Sequence, residues 1–403
     1  MKESLWTKNF ILIIMSNLLL FLALEMLLPT LPLYVADKGG TDFQVGLIIG
    51  LFTFAAVLAR PFVGVLSNKL GNKLLLIVGV VVCLIGTASY YAAVTITMML
   101  MLRVVHGLGF GISTTLYGTV ASDIIPASRR GEGLGFFGTG NAIAISLGPF
   151  LGIWLMEQYG YSHLFITGAV ILLLAVICTS FVKESRAERE RARVSADDKK
   201  LPFLERFIEY KALLPSSLGL LIGFAFGGII GFITLFGQET GVKNISYFFL
   251  MLAIAEFLIR FISGKIYDTR GRFWVLIPAA ALCLISCVLL FYTKSTAMLL
   301  LVGFLYGAGF GAIFPALQAW VIDRVEPERR GVATATYYNA FDIGIGSGAM
   351  LLGFVATWTN YATMYLFSGA LYVIFFIVYL VYENRSKRIS AGKNRIETDV
   401  REM

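Results

Sequence analysis

Charge is scarce in this chain. Asp, Glu, Lys and Arg make up 14% of its 403 residues, against about 25% in soluble domains. Apolar residues make up 58%, where soluble domains carry about 45–50%. So few polar groups cannot cover a surface in water. That argues against a cytosolic enzyme and against a disordered chain. Histidine is almost missing, with two residues, and there are four cysteines. Cys83, Cys178, Cys283 and Cys287 all lie in apolar runs without metal-ligand spacing, which excludes a disulfide scaffold and a Cys/His metal centre. Neither a nucleophile constellation nor a Walker-type loop occurs, so the sequence does not read as an enzyme or as a user of ATP.

What the chain has is apolar length. A membrane-crossing helix needs about 20 mainly apolar residues. Twelve such runs are expected, at 9–35, 44–66, 74–93, 97–122, 133–156, 162–182, 210–236, 246–266, 274–292, 297–322, 333–357 and 361–382. We number them spans 1 to 12. The first is too long for the apolar region of a secretory leader and reads as a span. The polar stretch 183–209, with its run ESRAERERARVSADDKK, reads as a linker. The expected organisation is a six-span half over 1–182, the linker, a six-span half over 210–382, and a tail over 383–403.

The basic residues orient these spans. Of 33 Lys and Arg, 27 fall in segments on one side, and three (Lys38, Lys243 and Lys294) in loops on the other. Arg60, Arg103 and Arg260 remain inside spans. Such bias orients the chain with both termini inside, and the expected location is a plasma membrane of bacterial type. It also explains the net charge of +8 as topology and lipid contact, so no nucleic-acid partner is expected.

The sequence repeats itself at an offset of 200. Arg60, Gly64 and Gly71 align with Arg260, Gly264 and Gly271. Gly107, Gly109, Phe110 and Gly111 align with Gly307, Gly309, Phe310 and Gly311, and Gly148 with Gly348. Asp123, Arg129 and Arg130 align with Asp323, Arg329 and Arg330. Two related halves imply pseudo-symmetry, a central site between them, and alternating access by rocking.

Several motifs carry a resemblance. The loop after span 2 reads GVLSNKLGNK from Gly64 to Lys73, and its twin after span 8 reads GKIYDTRGR from Gly264 to Arg272. Span 4 carries RVVHGLGFG from Arg103. Span 5 carries GPFLG, with Gly148, Pro149 and Gly152, and span 1 ends in PTLP. Together these are similar to the major facilitator superfamily over essentially the whole chain, and to its drug:proton antiporter branch. The resemblance implies an all-α integral membrane fold of twelve helices in two pseudo-symmetric halves, working as a monomer without cofactor on the proton gradient. The chain departs from the family pattern at Asn68, where Asp is usual, at His106, where Gln is common, and at Ala144 and Ile153, where Gly is usual. In the family the two loops latch the inner side, so Gly64, Asn68, Gly71, Asp268 and Arg272 are candidate gating residues. Gly148, Pro149 and Gly152 join them, as small residues and a kink that would let span 5 pack tightly on span 8.

Ionisable side chains in lipid are costly and are functional or paired. Glu25 and Arg103 have similar expected depths, and a pair between them would make Glu25 the main proton site, with cationic substrate and proton competing for it. Glu256 and Arg260 stand four apart on one face of span 8, either as a local structural pair or as a second coupling site. Arg60 and Asp342 lie at matching depths on spans 2 and 11, which the resemblance implies face each other across the halves, and are expected to bridge them. The candidate cavity includes Phe232, Phe236, Gln318, Trp320, Tyr338 and Asn339, with His106 as a relay or a packing residue. Such a wall suits small amphipathic compounds. The expected activity is proton-coupled export of drug-like compounds, the alternatives being export of one metabolite, metallophore or lipid-like molecule.

Overall fold

The computed structural model describes residues 4–126, 129–183, 208–326 and 329–402. The side chains of residues 65, 68, 130, 131, 139, 142 and 386–402 lie outside the description. Most of the expected linker, residues 184–207, also falls outside it, as do the Asn68 side chain and the side chains of the tail beyond Arg385.

Every described regular element is helical. Lipid offers no partner to a backbone N–H or C=O, and a helix satisfies both internally. Span 1 comes in two pieces, Lys8–Leu27 and Thr30–Asp37, that meet at Pro29. Spans 2, 3 and 4 are Asp42–Leu70, Asn72–Ser89 and Ile96–Ile124. Spans 7 to 12 are Leu213–Thr240, Ser246–Arg270, Phe273–Tyr292, Thr296–Asp323, Arg330–Trp358 and Tyr361–Glu402.

Among the described residues, 11 continuous helical stretches are long and apolar enough to cross a membrane. One of them, Glu132–Ser180, is 49 residues long. As one straight helix it would reach about 74 Å, more than twice a hydrocarbon core of about 30 Å. It is not straight. Gly160 breaks it with φ 80° and ψ 174°, a conformation open to glycine. Asn141, before the break, bonds Asn17, and Lys183, beyond it, bonds Asn9. Both partners lie in the Lys8–Leu27 piece of span 1, so the chain reverses at Gly160. The stretch is spans 5 and 6, and the crossings number twelve.

The repeat is visible in the packing. Thr95 and Ser295, 200 residues apart, cap spans 4 and 10 through Met98 N and Met298 N, at 3.2 and 3.3 Å. Cys83 Sγ donates to His106 O, and Cys283 Sγ to Tyr306 O. Gly107 and Gly111 seat span 4 on Phe52 and Ala56 of span 2, as Gly307 and Gly311 seat span 10 on Leu252 and Glu256 of span 8. Span 1 packs on span 5, and span 7 on span 11. The halves meet where span 2 lies on span 11 and span 5 on span 8. We call the end bearing residue 8 and the 71 and 271 turns the terminal face, and the other end the distal face.

Candidate functional site

Arg60 leaves span 2 about 27 Å from its distal end. Its Nη2 lies 2.5 Å from Asp342 Oδ2 on span 11, and its Nη1 donates to Asn339 Oδ1. Asn339 and Asp342 are three apart and share one helix face. The pair expected from depth and the family's topology is therefore formed, and it joins the halves. On the opposite flank, Arg260 donates to Glu256 one turn earlier on span 8. Glu256 Oε2 also accepts from Ser146 Oγ of span 5 at 3.0 Å, so this acid too is tied across the halves. The Arg260 side chain is 37% exposed and that of Glu256 5%.

Glu25 stands between these two groups. Its Cβ fills the notch at Gly148 on span 5, two residues from Ser146. Its side chain is partly exposed, and among the described residues it has no hydrogen-bond partner. The charged groups that bear on it are the acids Asp342 and Glu256. The three acids do not form a cluster that could hold a metal ion.

The expected Glu25–Arg103 pair is not formed. Arg103 is fully buried within the first half, with its guanidinium carbon 4.7 Å from the centre of the Phe52 ring and the Tyr90 hydroxyl beside it. Among the described residues none of its three nitrogens donates a hydrogen bond. The reason is rotational. Arg103, Gly107 and Gly111 form one stripe at four-residue spacing, and that stripe faces span 2. His106 is buried on the same helix, against Gly86 and 3.4 Å from Tyr90 OH through Nδ1, so it packs helices and does not line the cavity.

The other cavity residues divide. Tyr338 is 37% exposed, its hydroxyl is 3.4 Å from Gln318 Oε1, and Phe314 lies against its ring at 5.8 Å. With Asn339 they share the Arg60–Asp342 level and form an aromatic, polar wall. Phe232 and Phe236 do not belong to it. Both are fully buried, packed on Tyr361 and Tyr365. Trp320 is also buried, under the Arg272 guanidinium at 4.4 Å.

Among the gating candidates, Gly71 and Gly271 take φ 83° and 86°, which tight turns there require. A Cβ added at Gly64 meets nothing within 4 Å, so in this conformation that glycine makes no close helix approach. Asp268 is exposed, and Arg272 pairs with Glu383 at 3.0 Å inside its own half. Gly148 and Gly152 pack on Glu25 and Met26 of span 1, which corrects the expectation that they face span 8. Pro149 lies inside the helix between them. Ser146, not Gly148, reaches span 8. Sequence reading passed over it, although its repeat partner Gly346 also sits at a seam, against Thr53. At the distal face three more hydrogen bonds cross between the halves: Thr234 to Pro29 O, Ser246 to Glu157, and Tyr361 OH to Asp42.

The Major Facilitator Superfamily profile matches residues 13–296 and 270–402, which together take in nearly the whole chain. The chain belongs to the major facilitator superfamily. It is 26% identical over 380 residues to the MFS-type transporter MJ1560 of Methanocaldococcus jannaschii, covering 92% of this chain and 97% of that one. It is likewise 26% identical over 411 residues to the multidrug resistance protein MdtG of Escherichia coli, covering 96% and 97%. In fold it resembles the nucleoside transporter NupG, with a TM-score of 0.73 at 15% identity over 93% of this chain and 99% of that one. It also resembles the human organic anion transporter MFSD10, at 0.64 and 17%, over 92% and 98%. This superfamily member is thus a multi-pass membrane transporter of small molecules and not an enzyme.

Proposed function

We propose that this transporter exports small amphipathic, drug-like compounds in exchange for protons, by alternating access, as a monomer in the plasma membrane. The observation that carries this reading is Glu25. It is a carboxylate deep in a span, partly exposed, without a hydrogen-bond partner, and flanked by two acids that each hold an arginine. An intramembrane acid left unpaired needs a proton or a cation. Either can occupy it, and each displaces the other, which is exchange in its simplest form. The Tyr338, Phe314 and Gln318 wall offers an apolar and aromatic surface with a few polar groups to the rest of the compound.

The likeness to a multidrug resistance protein supports export of drug-like compounds. The excess of Lys and Arg on the terminal face supports a cytoplasmic location for that face. Three cross-half hydrogen bonds would then hold the exterior side together in this conformation. Separation of spans 2 and 11 must break Arg60–Asp342, so that pair biases the conformational equilibrium. Gly64, Gly71, Asp268 and Arg272 would act at the terminal face when it closes. No cofactor is needed, since the proton gradient supplies the energy.

The experiment is a screen of amphipathic drugs in a strain lacking its own exporters, followed by transport in inverted vesicles. Compounds that the protein protects against should accumulate in acidified vesicles and leave when a protonophore collapses the gradient. Accumulation untouched by the protonophore contradicts proton coupling.

A further inference from the structure

Three arginines lie inside spans, and two of them hold acids: Arg60 holds Asp342, and Arg260 holds Glu256. Arg103 holds none among the described residues. It is fully buried, and none of its three nitrogens donates a hydrogen bond. The group that bears on it is the Tyr90 hydroxyl, which is neutral. Arginine keeps its proton in proteins. A positive charge therefore sits inside the first half with nothing opposite it, and burying an unpaired charge is costly.

The unsatisfied atoms extend beyond this side chain. His106 stands three residues further along span 4, on the same face, and its Nε2 has no partner among the described residues. Nor has Thr87 Oγ1 of span 3. Both residues are fully buried. The two spans cross here: the His106 ring lies on Gly86, beside Thr87, and its Nδ1 is 3.4 Å from the Tyr90 hydroxyl. When that hydroxyl donates to Nδ1, the ring proton is on Nε2, and His106 offers a donor of its own. The Phe52 ring closes the side of span 2, 4.7 Å from the guanidinium carbon. The crossing is thus a closed group of donors with one positive charge and no negative one.

We infer that the crossing of spans 3 and 4 binds a small monovalent inorganic anion of the chloride type, held by Arg103, His106 Nε2 and the Thr87 hydroxyl. Water can take the hydrogen bonds, but only an anion also cancels the charge. Burial of every side chain around it leaves no place for an organic acid, and one positive charge matches one negative one. Arg103 stands about 10 Å along span 4 from its distal end, and Thr87 and Tyr90 lie at the distal end of span 3. The ion therefore enters from the distal face. The repeat partner of Arg103 is Gly303, so the second half has no twin of this site. The anion ties spans 3 and 4 together and takes no part in the exchange at Glu25.

Melting curves of the full chain test the site, recorded in sodium chloride and in sodium gluconate of equal ionic strength. A ligand of the folded state raises the melting temperature along a saturating curve. Chloride should do so by about 2–5 °C over gluconate, and bromide should follow it. Arg103→Met should melt at the same temperature in both salts. Equal melting of the wild-type protein in the two salts overturns the proposal, because water then suffices. A chloride response kept in Arg103→Met also overturns it, because the anion then binds elsewhere. Where Arg103→Met does not fold, crystals of the wild-type protein soaked in bromide decide. Anomalous density beside the Arg103 guanidinium supports the site, and its absence at saturating bromide contradicts it.

Discussion

The two seams between the halves descend from one repeated unit, yet they are built differently. Spans 2 and 11 meet through glycines: Gly46 and Gly50 lie on Ala349 and Met350, and Gly346 on Thr53. An ion pair, Arg60–Asp342, then crosses the seam. Spans 5 and 8 meet with hydroxyl groups, Ser146 on Glu256 and Ser246 on Glu157, and with the Phe150 and Tyr247 rings at 6.1 Å. Here the ion pair stays inside one helix. Both seams own the repeated arginine, Arg60 or Arg260. What changed is the acid: Asp342 has Ala142 as its repeat partner, and Glu256 has Ala56. The first seam therefore resists separation with charge, and the second can part at the cost of neutral donors while its charges remain satisfied.

The strongest way to break this comparison is charge reversal. Arg60→Asp or Asp342→Arg alone leaves a half-buried charge facing its like, at a cost somewhat below the about 3–5 kcal/mol of losing one partner of a fully buried pair. Export should vanish in each, and the double reversal should restore it, as read by drug protection. Absence of rescue would remove the direct pairing.

The glycine contact comes next. A Cβ at Gly46 runs into the Ala349 carbonyl, so Gly46→Leu should wedge spans 2 and 11 apart at a cost of about 2–3 kcal/mol. A cysteine placed at Thr359 on the distal face should then react faster with a maleimide. Unchanged labelling would mean that the seam yields without opening.

Ser146→Ala sharpens the other side. It removes one donor to an acid that keeps its arginine, worth about 1.5 kcal/mol, or roughly tenfold in the equilibrium it biases. Export should fall but persist, and a loss as complete as that of Arg60→Asp would erase the distinction between the seams.

The smallest effect concerns the base of span 11. Burial works against the ionised Glu209, but Arg329, at 2.7 Å, and the Lys211 N–H hold its carboxyl below its ordinary value of 4.5. A depressed value means that the bond stabilises the fold at neutral pH and is lost as pH falls through the folded value. Glu209→Gln should lower the melting temperature by about 2–4 °C at pH 7, with the difference fading in acid.

How much of this was legible depended on what kind of information each feature needs. Span count and repeat need only distance along the chain, while the Arg60–Asp342 pair needed matching depth together with the facing of spans 2 and 11 that the family resemblance implies. Glu25–Arg103 failed because depth says nothing of rotation. The stripe of Arg103, Gly107 and Gly111 did contain the rotation, since glycines at that spacing mark the face of closest packing. Phe232, Phe236 and Trp320 were assigned to a cavity by residue type, which does not separate a wall from a core. The role of Ser146 needed both seams side by side, because a lone serine in a span carries no signal.

The most direct test of the account lies at Glu25. In inverted vesicles holding an imposed pH gradient, a compound that the wild-type protein exports should release protons on addition. Glu25→Gln should release none, even at concentrations that saturate its binding. Undiminished proton release from Glu25→Gln would contradict the account.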